Sequence, residues 1–367
     1  MFTFSIPCLF GLEGLVGNEV RRLGLEQVQV DNGRVTCQGD GGQIARLNLG
    51  LRCGERVLLQ LARFPARAFE QVYQGALAVP WEDYIPKEGR FPVKGSSLNS
   101  QLHAVPALQS VIQKAAAVRL GEKYGLTTLP ETGAKYQIQF ALMNDICTLY
   151  LDTSGPGLHK RGYRAVGVTA PLRETLAAGL VLLSRFNGRD PFRDPFCGSG
   201  TIPIEAALIA KNRAPGLDRR FDAQKWPWLP SRVWLDAAGE AMDQEFDGSY
   251  DIWGGDIDPR AVAIAQSNAE KAGVADLVRF DVADVSTLTC QGDYGQIVTN
   301  PPYGERLLEK KEAEELYRAL GKVPVPPKWR TVVITSDADF ERHFGRRAGK
   351  KRKLYNGMLL CAAYMYP

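Results

Sequence analysis

From Pro171 onward the chain alternates helical segments with short runs that read as strands: Pro191–Phe196, Ile252–Asp256, Val278–Asp281, Gln296–Thr299 and Thr331–Ser336. Strands separated by helices cannot close as hairpins, so they pair in parallel through βαβ crossovers. This half of the chain is expected to be an α/β domain built on a parallel sheet. The segment 211–249 breaks the alternation with Ala214-Pro215-Gly216, Trp226, Trp228 and Trp234. It is expected to be either an insertion packed on the sheet or a flap facing a substrate.

The first 152 residues have a different texture. Short apolar stretches at Phe2–Phe10, Gln27–Val30 and Arg34–Cys37 flank a helix-like Leu12–Leu23, the pattern of a small α+β unit. Further on, a helix is expected at Leu108–Tyr124 and two strands at Tyr136–Met143 and Ile146–Asp152, joined by a tight turn at Asn144-Asp145. Loop chemistry at Thr153-Ser154-Gly155-Pro156-Gly157 marks the domain boundary.

Composition excludes several classes. With 45% hydrophobic and 23% charged residues, the chain is neither disordered nor fibrous. The longest apolar run, Leu176–Leu183, is far short of a membrane span, and Met1–Phe10 has no basic leader, so no membrane partner and a cytoplasmic location are expected. Seven cysteines without a CxxC pair and three scattered histidines point to reduced thiols and no metal. Of the net charge of +4, residues 1–164 carry all, with 18 Lys and Arg against 14 Asp and Glu. The remainder is neutral overall, yet Arg342–Lys353 holds seven basic residues and no acid. Such a distribution suits either a solvated surface or a polyanionic partner.

Three motifs follow strand ends. In Arg193-Asp194-Pro195-Phe196-Cys197-Gly198-Ser199-Gly200-Thr201, the glycines let the backbone approach a ligand and the following helix offers free N–H groups. Pro203 stands where a dinucleotide fingerprint needs its third glycine, and no Gly-Lys-Ser/Thr follows, so NAD and ATP are disfavoured. Next, Trp253-Gly254-Gly255-Asp256-Ile257-Asp258-Pro259 offers Asp256 to a ribose diol, while Asp258 before proline reads as a helix N-cap. Asp284 follows the third strand, where it can face an adenine amine. Finally, Asn300-Pro301-Pro302-Tyr303 forms a rigid turn. The Asn300 side-chain oxygen and the Pro301 carbonyl can accept hydrogen bonds from one exocyclic amine, and Tyr303 can stack on its base.

The first and last of these, in this order and about a hundred residues apart, resemble motifs I and IV of class I S-adenosylmethionine-dependent amino-methyltransferases. Ser154-Gly155-Pro156-Gly157-Leu158-His159-Lys160-Arg161-Gly162-Tyr163-Arg164 resembles the linker of bacterial THUMP-containing RNA guanine-N2 methyltransferases. Ala170–Thr175 and Lys350–Gly357 match the same group. The resemblance is closest to the enzymes that methylate large-subunit ribosomal RNA, in a short form without a second fused methyltransferase.

The resemblance implies a ferredoxin-like unit over 1–59, a THUMP RNA-binding domain over 60–152, a linker over 153–170, and a methyltransferase domain over 171–367 with 211–249 inserted. The last would be Rossmann-like with a mostly parallel seven-stranded sheet. It implies S-adenosylmethionine as cofactor, with Asp194, Phe196, Gly198, Ser199 and Gly200 cradling its methionine portion and Pro195, Cys197 and Thr201 also among its contacts. Asp256 would bind the ribose and Asp284 the adenine, with Pro171–Thr175 helping to cover the cofactor and Ile257 and Asn300 also beside it. Asn300, Pro301, Pro302 and Tyr303 would hold the target base. RNA phosphates would meet Lys160, Arg161 and Arg164 at the junction, and Arg346, Arg347, Lys350 and Lys351 near the C-terminus. The expected reaction is methylation of guanine N2 in structured RNA, 23S rRNA foremost. Transfer RNA, adenine-N6 in DNA, and a non-catalytic ribosome-assembly role stay open. Because the cofactor motifs all lie beyond residue 170, cofactor binding is expected to survive removal of residues 1–152.

Overall fold

The computed structural model describes residues 1–164, 172–303 and 307–367. Pro171, an expected cofactor contact, lies outside the described residues.

One seven-stranded sheet spans the N-terminal half, in the order β2-β3-β1-β4-β7-β6-β5. Its strands are β1 (Phe2–Pro7), β2 (Glu26–Asp31), β3 (Arg34–Gly39), β4 (Leu58–Pro65), β5 (Val93–Leu98), β6 (Ile138–Met143) and β7 (Ile146–Asp152). The β6–β7 hairpin closes through Asn144 and Asp145 at φ 50° and 61°, the left-handed pair that matches the strand twist. β5 and β6 are parallel, and the crossover between them carries the helix Val105–Tyr124 with Leu108, Ile112, Ala115 and Leu120 buried. β4 crosses the 59/60 boundary and pairs with β1 on one side and β7 on the other, so both N-terminal units share one sheet.

The second sheet runs β10-β9-β8-β11-β12-β14-β13. It comprises β8 (Phe192–Asp194), β9 (Ile252–Asp256), β10 (Arg279–Val282), β11 (Tyr294–Thr299), β12 (Lys328–Thr335), β13 (Lys350–Asn356) and β14 (Leu359–Tyr366). β8 is parallel to both β9 and β11, whereas β14 and β13 join antiparallel at one edge. From β8 the chain builds outward through β9 to β10, then jumps back to lay β11 on the other side. That reversal opens a crevice at the carboxyl ends of β8 and β11.

The two halves share a core. Leu12 packs against the helix Glu174–Leu183 so closely that a methyl on Gly179 would lie 2.7 Å from Leu12 Cδ1. Within 211–249, Trp226 is buried, stacks on Tyr136 with centroids 5.1 Å apart, and donates Nε1–H to the Lys135 carbonyl at 2.9 Å. Trp228 donates to the Tyr84 carbonyl at 3.1 Å, and Trp234 stacks on Phe221. Of the two readings of this insertion, packing is the one observed, and its target is the N-terminal half. The expectation that cofactor binding outlives removal of residues 1–152 is therefore withdrawn, because the cut would strip apolar partners from the catalytic half. All seven cysteines are free thiols, and no described helix is long and apolar enough to cross a membrane.

Trp226→Ala should cost about 3–5 kcal/mol, the range for truncating a buried aromatic. Denaturant unfolding should then show both halves losing stability in one transition, with fluorescence and circular dichroism midpoints coinciding.

Candidate active site

The crevice holds a cavity of about 660 Å³ onto which the ends of three parallel strands open. Asp194 closes β8, Asp256 closes β9, and Asn300 follows β11, so adjacent strands bring together groups that lie up to 106 residues apart. Asp194, Pro195, Phe196, Cys197, Gly198, Ser199, Thr201, Asp256, Ile257, Asp284 and Asn300–Tyr303 all line the cavity.

Asp194 is its most constrained group. One carboxylate oxygen accepts the Thr299 hydroxyl at 2.6 Å and the Phe196 N–H at 3.2 Å. The other, Oδ2, is buried without a protein partner. Burial, with a smaller push from the Asp256 charge, raises its pKa to about 7. A buried carboxylate with an orphaned oxygen is a receptor for a cationic donor.

Asp256 ties the glycine loop to the neighbouring strand. Its Oδ2 accepts the Gly198 N–H at 2.9 Å and its Oδ1 accepts the Asp258 N–H at 3.0 Å, leaving further lone pairs on both oxygens. Asp258 caps the next helix through the Arg260 N–H, as its place before proline implies. Gly198 has φ 51°, and a side chain there would project into open space at the cavity wall. Gly200 has a different role from the one expected. It does not line the cavity, and a methyl on it would lie 2.8 Å from Ala265 Cβ, so it is small to let two helices touch. Asp284 accepts the Ser286 N–H and hydroxyl, which hold its pKa below the usual carboxylate value. At the rim, Ile257 is 71% exposed, an apolar surface left uncovered beside the two acids.

The Asn-Pro-Pro-Tyr turn is pinned from two sides. The Tyr303 hydroxyl donates to Asn300 Oδ1, and the Tyr317 hydroxyl donates to the Pro302 carbonyl at 2.8 Å. Burial pushes the Tyr303 phenol well above its ordinary pKa, so it stays a neutral donor. The Asn300 oxygen retains a second lone pair for an incoming N–H.

Besides Gly200, three expected contacts are corrected. Thr175 is buried away from the cavity and donates to Glu55 Oε1. Arg161 is buried against Glu205 and the carbonyls of Leu51, Arg52 and Leu158, so it is a junction pin rather than a phosphate contact. Arg164 turns inward to the Leu172 carbonyl at 2.7 Å, Thr201 Oγ1 at 3.1 Å and Glu174 at 3.5 Å. Lys160, Arg346, Arg347, Lys350 and Lys351 are exposed, although Lys351 pairs with Glu341 and Arg346 lies over the Phe344 ring.

Other residues also reach the site, Arg173 from within the expected Pro171–Thr175 cover and a hairpin turn that was not read as part of it. Arg173 lines the cavity and is held at 3.2 Å by Glu55 from the N-terminal half, whose carboxylate also meets His159 Nδ1. Asn356, Gly357 and Leu359 reach the cavity from the β13–β14 turn. Asn356-Gly357 ends the Lys350–Gly357 signature, the one clue to it in the sequence.

Among the described residues, no group of three or more His, Cys, Asp or Glu side chains could hold a metal. The cofactor these groups do fit is S-adenosylmethionine. The orphaned Asp194 oxygen suits its α-ammonium, Asp256 its ribose diol, Asp284 its adenine amine and Ile257 the adenine face. A seven-stranded sheet with this strand order, carrying these acids and an Asn-Pro-Pro-Tyr turn at its carboxyl ends, defines a class I methyltransferase. Comparison with known families agrees. Residues 161–364 match the RMKL-like methyltransferase domain, residues 3–58 the RlmL ferredoxin-like domain and residues 66–152 the THUMP domain. The chain belongs to the RMKL-like methyltransferase family.

It is 43% identical over 369 residues to "Putative RNA methyltransferase YpsC" of Bacillus subtilis, covering all of this chain and 96% of that one. It is 31% identical over 379 residues to the ribosomal RNA large subunit methyltransferase K/L of Shewanella baltica, aligning over all of its own length but only 53% of that protein. Among solved structures, a protein from Listeria monocytogenes described as a predicted N6-adenine-specific DNA methylase superposes with TM-score 0.94 at 44% identity, covering 100% and 96% of the two chains. SMU.472, described as "a putative methyltransferase complexed with SAH", superposes with TM-score 0.92 at 40% identity, covering 100% and 97%.

The raised pKa of Asp194 sets two pH dependences. Its neutral form is favoured by folding, so its stabilising contribution is full below the ordinary carboxylate range and is lost as pH rises through about 7. The melting temperature of the ligand-free protein should fall over that interval, and Asp194→Asn should remove much of the fall. Affinity for S-adenosylhomocysteine should change the other way, rising by up to about tenfold per pH unit below 7 and levelling above, as the carboxylate ionises to meet the ligand's ammonium. Calorimetric titration from pH 5.5 to 8.5 checks both the slope and its loss in the variant.

Proposed function

We propose that the protein transfers a methyl group from S-adenosylmethionine to the exocyclic N2 amine of a guanine in structured RNA, with 23S rRNA as the substrate and the cytoplasm as its place of action. The observation that carries this reading is the Asn300–Tyr303 turn, pinned on the same cavity as Asp194, Asp256 and Asp284. When bound, the cofactor supplies a methyl on a sulfonium, which is electrophilic without further activation. The residues therefore need to position rather than to activate. Asn300 Oδ1 and the Pro301 carbonyl accept the two N–H groups of the amine and turn its lone pair toward the cofactor end of the cavity. The Tyr303 hydroxyl fixes the rotamer of Asn300. The amine sheds its proton late, to water or a carbonyl, so a strong base is not required.

RNA is favoured over DNA by the THUMP match over residues 66–152 and by the names of the relatives, YpsC and the K/L enzymes. The K/L names favour ribosomal over transfer RNA. The Listeria protein keeps the adenine-N6 reading in view, since the same turn can hold either amine. Mass spectrometry of nucleosides from a deletion strain decides between them. Loss of N2-methylguanosine from 23S rRNA is expected; its loss from tRNA alone moves the substrate, and loss of N6-methyladenine from DNA overturns the reading.

Asn300→Ala should reduce methyl transfer at least about a hundredfold while S-adenosylhomocysteine affinity stays within a few-fold, because the side chain holds the base. Asp256→Ala should instead weaken cofactor binding by about 1.5–3 kcal/mol, the value of hydrogen bonds to a charged group. Calorimetry and a labelled-methyl transfer assay separate the two effects.

A further inference from the structure

The hairpin of β13 and β14 ends in an exposed apolar tip at the mouth of the cavity. Met358 is fully exposed, Leu360 is 50% and Tyr355 40% exposed. The connecting pair is Gly357-Met358, with Gly357 at φ 64°, the left-handed first position that a two-residue turn of this kind requires. The register then sorts the hairpin by face. Leu354 opposes Cys361, and both are buried; Asn356 opposes Leu359, and both line the cavity. Tyr355 opposes Leu360 on the other face, where side-chain alternation also places Lys353 and Lys351. Lys351 confirms that placement, since its ammonium lies 5.2 Å from the ring centroid of Tyr364, its cross-strand partner.

The outward face thus reads as a basic stem leading to an apolar tip, next to the turn expected to hold the target base. Exposed aliphatic side chains at a hairpin apex contribute nothing to this chain's core and leave apolar surface in water. Positive stem followed by apolar tip is the order in which a protein approaching a nucleic-acid helix meets phosphates and then the edge of a base stack. A base paired in a helix cannot reach Asn300 until it leaves the stack, and the gap it leaves collapses unless something fills it.

We propose that Tyr355, Met358 and Leu360 form a wedge that enters base-paired RNA and fills the space vacated by the nucleotide drawn into the cavity. This rests on the RNA reading above. The triple variant Tyr355→Ser, Met358→Ser, Leu360→Ser removes the wedge at exposed positions only, so the melting temperature should hold. The probes are rRNA from a deletion strain, intact or fragmented by alkali to pieces too short to hold helices. With labelled S-adenosylmethionine and saturating RNA, transfer to intact rRNA should slow at least about tenfold. Transfer to the fragments, filter-binding affinity for intact rRNA and affinity for S-adenosylhomocysteine should stay within about threefold. Met358→Leu should retain the wild-type rate. An undiminished rate on intact rRNA, or an equal loss on intact and fragmented rRNA, overturns the wedge while leaving the RNA reading in place. If the wild-type protein methylates duplex DNA and neither rRNA preparation, the substrate reading fails and the wedge fails with it.

Discussion

The Thr299 hydroxyl donates to Asp194 at 2.6 Å across the gap between β8 and β11. This bond joins the two chemistries of the site, since Asp194 ends the strand behind the glycine loop and Thr299 immediately precedes the Asn-Pro-Pro-Tyr turn. It exists because β8 and β11 pair in parallel with both carboxyl ends at one edge, the point where the strand order reverses. Every other feature of the cavity hangs on that pairing. Asp256 reaches the loop from the far side of β8 through the Gly198 N–H, and the hairpin turn closes the side beyond β12.

The same constraint explains the cost stored at Asp194. A carboxylate placed between two strands and under a loop loses its water, and two protein donors satisfy only one of its oxygens. A protein that kept such a group without a ligand for it would carry the desolvation penalty for nothing. The catalytic half, in turn, does not stand on its own. Glu55 and Leu12 from the first half, and Trp226 reaching back from the insertion, make the floor of the cavity and the N-terminal sheet one packed body. On the proposed function, this packing would hold RNA bound by the N-terminal half in fixed register with the Asn300–Tyr303 turn.

Much of this was legible in the sequence because it is local. Strand ends at Ile252–Asp256 and Ile146–Asp152 were readable to the residue, and Asp256 and Asp284, which line the cavity, were readable as candidates from their places at strand ends, whereas Asp194 entered through the family resemblance. What escaped was non-local. Arg161 and Arg164 look like free cations in a basic linker, and only the fold brings Glu205 and Glu174 to them. Thr175 falls inside a cofactor motif, yet the helix that begins at Glu174 turns it toward Glu55 and leaves Arg173 on the cavity. β5 alternates in burial but puts Gly95 and Ser97 at its inward positions, and β4 opens with two consecutive buried leucines, so neither shows an alternating apolar pattern in the sequence. The Arg342–Lys353 run shows its charge but conceals the register that separates stem from tip.

A crystal structure of this protein with S-adenosylhomocysteine tests the central claim most directly. The ligand's ammonium is expected within hydrogen-bond distance of Asp194 Oδ2, its ribose on Asp256 and its sulfur facing Asn300. A ligand bound elsewhere, with Asp194 Oδ2 still lacking a partner, would contradict it.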